Sequence, residues 1–319
     1  MANVTVEGGT TYATSLTQQQ AVIASQFLSN TDPGQVTWVG GGGADLILGG
    51  NEALILSDVD GTKATTLTGS GLNDILVGNQ GNDLFVLHKH GTVFGGNGND
   101  TVNVKGAGHV VLGNGNDSIT ITGKGFVTVG GGNDTITFGN KGGGSVDNSA
   151  AGHDTIHTGF GQYSITEAGS ATVTGPGYSA TVTGGSLQVT DPVSGQEQIT
   201  AGSGFATIQA GSHSVLRGGS GDDRLLGGQG NDTFVGGSGN ATMDAGTSSP
   251  NLFHFGSAGG SDLILHFVHG DHIQLKGLTA AQAFADSTHV AGVGTVIHDG
   301  TTTITIKGVF LGSNDFKNG

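Results

Sequence analysis

The chain alternates short apolar runs with glycine-rich polar ones, on a fixed beat. Between residues 87 and 157, apolar side chains fall two apart within stretches such as TVNV, SITI and TITF. That spacing predicts short strands with one face buried. A turn of the form GGNGND precedes such a strand, and a plainer stretch, GTVF, GAGHVVL or GKGFVTV, follows it. Asp83, Asp100, Asp117 and Asp134 recur 17 residues apart. A period of this size marks one unit stacked on itself. One turn plus one strand is a half-unit, and two halves close one coil. The pattern therefore predicts an all-β protein, a right-handed parallel β-solenoid.

The rest of the chain starts, continues or ends that stack. Residues 1–11 read as a short polar strand. Ser15 and Gln18 have capping-box spacing, and Leu16, Ala21, Ile23, Ala24, Phe27 and Leu28 supply an apolar helical face to about residue 30. Residues 1–35 are read as a strand and helix capping the first coil, with anchorage to a cell-surface polymer as the alternative. A strand at 36–39 leads into repeats at 40–48, with Asp45 in the acid position, and at 49–56, which is degenerate. After an insertion at 57–63, repeats at 69–77 and 78–86 carry Asp74 and Asp83. The array continues through Asp134 to Asp154, where His153 replaces the usual Asn. Residues 159–216 keep the beat but lose the acids, and read as metal-poor coils. Three clean nonapeptides return at 218–244, with Asp223 and Asp232; the third has Ala241 in the acid position, so the column of acids is expected to stop there. The solenoid is assigned to 36–250. Residues 251–319 are read as a β-rich C-terminal cap with a helix at 279–285, and 260–275 and 296–309 as antiparallel strands around turns at Gly270 and at Asp299 and Gly300.

Composition narrows what such a stack can do. The 64 glycines lack the every-third spacing of collagen. Ordering glycine is entropically expensive, so something beyond an apolar core must hold the fold. The formal net charge of −15 excludes nucleic acid and anionic membrane surfaces as partners and favours cations. There is no cysteine, hence no disulfide or thiolate metal site. No stretch reaches the roughly 18 apolar residues of a membrane span. The N-terminus has neither a basic nor an apolar signal region, so the protein is expected to be cytosolic or to be exported by a route read elsewhere in the chain.

The repeat has the chemistry of a hard-cation site. Glycines allow the backbone to turn tightly and aim carbonyl oxygens inward, and the acid adds a charged oxygen. Oxygen ligands in a flexible cage, without sulfur, specify Ca2+. The candidate ligand residues are Asp45, Asp74, Asp83, Asp100, Asp117, Asp134, Asp154, Asp223 and Asp232, with Gly95, Gly96, Gly98, Gly115, Gly132, Gly218, Gly219, Gly221, Gly227, Gly228 and Gly230 shaping the turns. Asp222 reads as a surface extra. Coils stack about 4.8 Å apart. Two carboxylates at that distance repel by roughly 3 kcal/mol at an effective dielectric of about 20. A bare column of Asp83, Asp100, Asp117 and Asp134 would therefore melt, which predicts folding coupled to the cation.

These nonapeptides resemble the calcium-binding repeats of the RTX family. The tail resembles the C-terminal module of RTX exoproteins such as the serralysins, in which D-x-I-x-x-F precedes G-x-D-x-I-x-L; Asp262, Ile264, Phe267, Gly270, Asp271, Ile273 and Leu275 match. The resemblance implies multiple bound Ca2+ ions, export by a type I system through an uncleaved C-terminal signal in 251–319, and a secreted or cell-surface bacterial protein. It does not extend to the serralysin protease: H-E-x-x-H is absent, and no lipase-type nucleophile elbow stands outside the repeats. His266, His269, His272, His88 and His90 are read as solvent-facing, with a zinc or pH-sensing role as the alternative. Tyr163, Glu167, Tyr178 and Arg217 are too scattered for a polysaccharide-cleaving site. The expected function is non-enzymatic: a calcium-dependent S-layer, surface-filament or biofilm-matrix subunit that self-assembles. A calcium-dependent adhesin binding a cell-surface polysaccharide is the alternative, followed by a secreted enzyme or a membrane-active effector.

Overall fold

A computed structural model describes residues 2–5, 11–14, 36–38, 45–48, 54–56, 62–139, 142–148, 150–175, 178–182, 185–190, 197–247, 250–256 and 259–319, with side chains from residue 62 onward except at 178–182. The chain forms two compact units, residues 1–161 and 162–319.

In the first unit, successive strands alternate between two parallel ladders. One ladder holds Asp45–Leu48, Thr66–Gly69, Leu84–Leu87, Thr101–Val104, Ser118–Ile121, Thr135–Phe138 and His153–His157. The other holds Val36–Trp38, Leu54–Leu56, Asp74–Val77, Gly91–Phe94, Gly108–Val111, Gly125–Val129 and Gly144–Asn148. This is the parallel β-solenoid that the period predicts. The coil 101–117 shows where 17 residues come from: two strands of four residues, a short turn at 105–107 and a long one at 112–117. The glycine-aspartate motif makes the long turn and the plain half makes the short one.

Register is held by like side chains stacked on like. Phe85, Val102, Ile119 and Ile136 pair directly along one ladder, and Val93, Val110 and Val127 along the other. All are buried. Each such side chain withdrawn from water stabilises by about 1.5–3 kcal/mol. A slip of one residue would turn every one outward. Gly125 is required by close approach: a Cβ there would come within 2.5 Å of the Phe138 ring. Ala2–Thr5 and Thr11–Thr14 pair antiparallel, so the first residues form two strands rather than the one expected. The helix expected at 15–30 lies outside the described residues.

The second unit repeats the architecture. Val173, Val189, Ile208, Leu225, Met243, Ile264 and Ile306 stack in one ladder. Ile199, Leu216, Phe234, Phe253, Ile273 and Phe316 stack in the other. Phe234 and Phe253 lie face to face, their centroids 4.8 Å apart. The antiparallel reading of 260–275 is corrected. Gly260–Leu265 runs parallel to Ala241–Asp244, and His272–Leu275 joins the opposite ladder beside Leu252–Phe255. The Gly270 turn passes the chain from one ladder to the other, because the coil continues through it. Within this unit antiparallel pairing begins only at Ser287–Val290, which pairs with Gly294–Asp299; the latter closes on Thr302–Lys307 around Asp299 and Gly300 as expected. The helix Ala280–Ala285 carries a capping box from Thr279 to Gln282, a sequence signal that supports the helix read there. No helix among the described residues is long and apolar enough to cross a membrane.

Candidate metal centre

The long turns of the first unit stack so closely that two glycines have no substitute. Gly96 and Gly98 have φ of 101° and 120°, a region that side chains rarely adopt. A Cβ at either would overlap a carbonyl oxygen of the turn before, from Asn79 and Gly81. The turns are bonded through the backbone: Gly113 N–H donates to Gly96 O (2.6 Å) and Gly98 N–H to Asn114 O (2.9 Å). Asn ladders run along the exposed side, with Asn99, Asn116 and Asn133 N–H each donating to the Asn Oδ1 one coil back, at 82, 99 and 116.

Inside them runs the carboxylate column. Asp83 N–H donates to Asp100 Oδ1 (2.8 Å), Asp100 N–H to Asp117 Oδ1 (2.8 Å), Asp117 N–H to Asp134 Oδ1 (2.9 Å) and Asp134 N–H to Asp154 Oδ1 (3.0 Å). Each acid thus anchors the backbone of the coil before it. The ends are closed differently. Thr65 donates its N–H and hydroxyl to Asp83 Oδ1, and Asn79 N–H reaches Asp83 Oδ2 (2.9 Å). Asn148 donates to Asp154 Oδ2 (2.6 Å). In between, Oδ2 of Asp100, Asp117 and Asp134 is buried without a hydrogen-bond partner. A buried carboxylate oxygen left unsatisfied is expensive.

The electrostatics record that strain. Burial pushes Asp100 up to about 8, with the charges of Asp117 and Asp83 adding to it. Asp134 is raised to about 7 and Asp117 to about 6, again chiefly by burial. Three hard, inward oxygens on successive coils suit a cation such as Ca2+. Among the described residues no three His, Cys, Asp or Glu side chains converge on one point, so a cage here must draw its remaining ligands from turn carbonyls.

Not all the predicted acids share this column. Asp74 lies in the opposite ladder, paired with Gly91 and in line with Gly108 and Gly125. Asp45 pairs with Thr66, which pairs with Leu84, so it sits one residue along from Asp83. In the second unit, Asp223 and Asp232 fall in different ladders. Nine residues is half a coil, so consecutive nonapeptides face opposite sides. Asp223 accepts the N–H groups of Ala206 (3.0 Å) and Gly219 (2.6 Å), and Asp232 those of Ser214 (2.8 Å) and Gly228 (3.0 Å). Both carboxylates are satisfied by backbone, although burial still raises them.

The remaining candidates are more peripheral. Gly115 and Gly132 continue the row of Gly98, and Gly95 packs against Asp100 Oδ2 as Gly227 does against Asp232 and Gly218 against Asp223. Gly221 and Gly230 occupy the tight fourth position of their turns. His266 and His269 are exposed and pair with Asp244 (2.7 Å) and Asp315 (3.0 Å). His88 and His90 are exposed.

Residues that the motif does not mark also occupy acid positions. Ser214 and Asn251 stand in the column of Asp232, and Asp271 Oδ1 accepts Asn251 N–H (2.8 Å). Glu197, in the stretch 159–216 that lacks the motif's acids, is buried and accepts the Ser214 hydroxyl. Asp262, also buried, is raised to about 6 by burial. A search at spacings of 17 to 21 residues, rather than for GGxGxD, would have found the column members.

No curated protein matches the chain. Residues 61–86, 92–104 and 210–243 match the RTX calcium-binding nonapeptide repeat, in four copies. The chain therefore carries RTX repeats, which bind multiple Ca2+ ions and are characteristic of secreted or extracellular bacterial proteins.

Proposed function

We propose that this is a secreted, non-enzymatic structural protein that folds on Ca2+ outside the cell and assembles into an S-layer, surface filament or biofilm matrix. The observation that carries the reading is the run of partnerless carboxylate oxygens on Asp100, Asp117 and Asp134. Asp83 and Asp154 at the ends of that column, Asp74 opposite it, and Asp223 and Asp232 in the second unit would add ligands. The turns built on Gly95, Gly96, Gly98, Gly115, Gly132, Gly218, Gly219, Gly221, Gly227, Gly228 and Gly230 would supply carbonyl oxygens. An ion bound between coils replaces carboxylate repulsion with attraction, so folding and metal binding become one event. Low cytosolic calcium would keep the chain threadable, and millimolar calcium outside would fold it, within the affinity range of extracellular modules. Residues 251–319 would serve as the type I secretion module, and residues 1–35 as the opposite cap.

Assembly is supported by large apolar side chains left exposed, among them Phe126, Phe160 and Phe310. Circular dichroism and negative-stain imaging across a calcium titration test the proposal. A strand signal that grows with calcium, followed by ordered sheets or fibres, is expected; a chelated sample with unchanged strand signal and melting point, or persistent monomers, would refute it.

A second reading, a calcium-dependent glycan-binding protein, draws on one feature of the second unit. Phe205, Asp222, Arg224, Asn240, Thr242 and Ser261 line an open cleft of about 390 Å³. An exposed aromatic ring beside charged and hydroxyl groups is suited to a sugar face. Glycan-array binding lost in Phe205→Ala would favour it.

A further inference from the structure

The last nonapeptide, 236–244, has Ala241 where its acid should be. We propose that Asp262, one coil further on, supplies the missing carboxylate and completes a calcium site in the turn 236–240. The inference rests on the calcium reading of the repeats.

Two features place Asp262 in that role. Its Oδ1 accepts Ala241 N–H at 2.9 Å, the bond that Asp223 Oδ1 makes to Ala206 N–H at 3.0 Å. Its Oδ2 lies against the first glycine of the acid-less turn: a Cβ at Gly236 would be 3.1 Å from it. In intact repeats the turn's own acid fills that place, with Cβ positions 3.2 Å from Asp223 Oδ2 at Gly218 and 2.9 Å from Asp232 Oδ2 at Gly227. The carboxylate has come from a different coil, yet it stands where the consensus acid stands.

Asp262 also resembles the column acids in what it lacks. It is 3% exposed, and its Oδ2 is buried with no hydrogen-bond partner. Among the described residues it makes no ion pair. Asp223 and Asp232 instead give that second oxygen to Gly219 and Gly228 N–H groups. A buried, ionisable oxygen aimed into a glycine turn calls for a cation. The turn is also held from the far side, because Ser261 N–H donates to Asn240 Oδ1 (2.8 Å). The repeat 236–244 therefore binds its ion only when Gly260–Leu265 is docked, and the metal ties that strand to the repeats.

Calcium stoichiometry of the full chain, by equilibrium dialysis and native mass spectrometry, tests this. Asp262→Asn keeps the Oδ1 acceptor and is expected to bind one ion fewer than wild type. Adding Ala241→Asp is expected to restore the count, and the exposed control Asp286→Asn to leave it unchanged. An Asp262→Asn protein with the wild-type count overturns the inference while leaving the calcium reading intact. A wild-type chain that binds no calcium overturns both. Should Asp262→Asn fail to fold, the double variant decides: folding with the full count supports the site, and failure to fold overturns it.

Discussion

The same six-residue turn is used in two ways. In the first unit, Asp100, Asp117 and Asp134 stack acid upon acid, and each keeps one oxygen buried and unpaired. In the second, Asp223 and Asp232 follow Ala206 and Ser214 in their columns, and both oxygens take backbone N–H groups. The motif is nearly identical; the neighbour one coil away differs. An acid beside a neutral residue can act as a staple for its own turn. An acid between acids accumulates buried charge that only protons or a cation neutralise.

The largest effect should come from removing calcium. Chelation is expected to abolish amide-exchange protection across 84–138 before 206–235. Equal protection in both segments would erase the distinction between the two kinds of turn.

The pH dependence of the metal-free chain comes next. Asp100, Asp134 and Asp117 titrate at about 8, 7 and 6 when folded, above the ordinary 3.8. Folding therefore takes up protons, and the stability they contribute is complete below about pH 4 and is lost as pH rises through 6 to 8. The metal-free melting temperature should fall over that interval. In saturating calcium the trend should flatten, because the ion replaces the proton; parallel pH profiles with and without calcium would contradict this.

Gly98→Ala should destabilise by about 1–3 kcal/mol, the range for a residue forced into a disfavoured backbone region. Gly256→Ala, where an added Cβ meets nothing within 4 Å, should be close to neutral. Denaturant midpoints compare the pair.

Asp117→Asn should change sign with the metal. It keeps the Oδ1 acceptor for Asp100 N–H but removes a buried charge. Without calcium at pH 8 the variant should be more stable, on the order of 3 kcal/mol, because burial holds the wild-type acid at about 6 rather than 3.8; with calcium it should be less stable than wild type. Asp223→Asn should show a smaller effect than Asp117→Asn, about 1 kcal/mol of lost hydrogen bonding without calcium, and the same sign with it. Thermal melts of both variants with and without calcium separate the two roles, and a sign change in Asp223→Asn as well would mean that its turn carries a comparable metal load.

What could be read from the chain was whatever repeats locally. The 17-residue beat, the glycines at 96 and 98, the alternation in TVNV and SITI, and the hairpin at Asp299 and Gly300 each follow from a few adjacent residues. Those residues determine a half-coil: a turn that only glycine can make and a strand with one apolar face. They also determine the chemistry, since oxygen ligands without sulfur admit few metals. The failures are equally specific. Gly270 looks like a hairpin turn, but a local turn does not say which ladder the next strand joins. Asp45 and Asp74 look equivalent to Asp83, yet one is a residue out of register and the other is half a coil away.

Tertiary structure decided everything that depends on the coil above or below. Which acids share a column, which oxygens find a backbone N–H, and that Asp262 rather than residue 241 fills the last turn are set by stacking. Turn lengths add up along the chain, so a short turn, a degenerate repeat or an insertion moves a residue to another side without changing its local motif. The physical reason is that the sequence pattern is written along the chain, whereas hydrogen bonds and carboxylate charges act across it, between residues 17 to 21 positions apart.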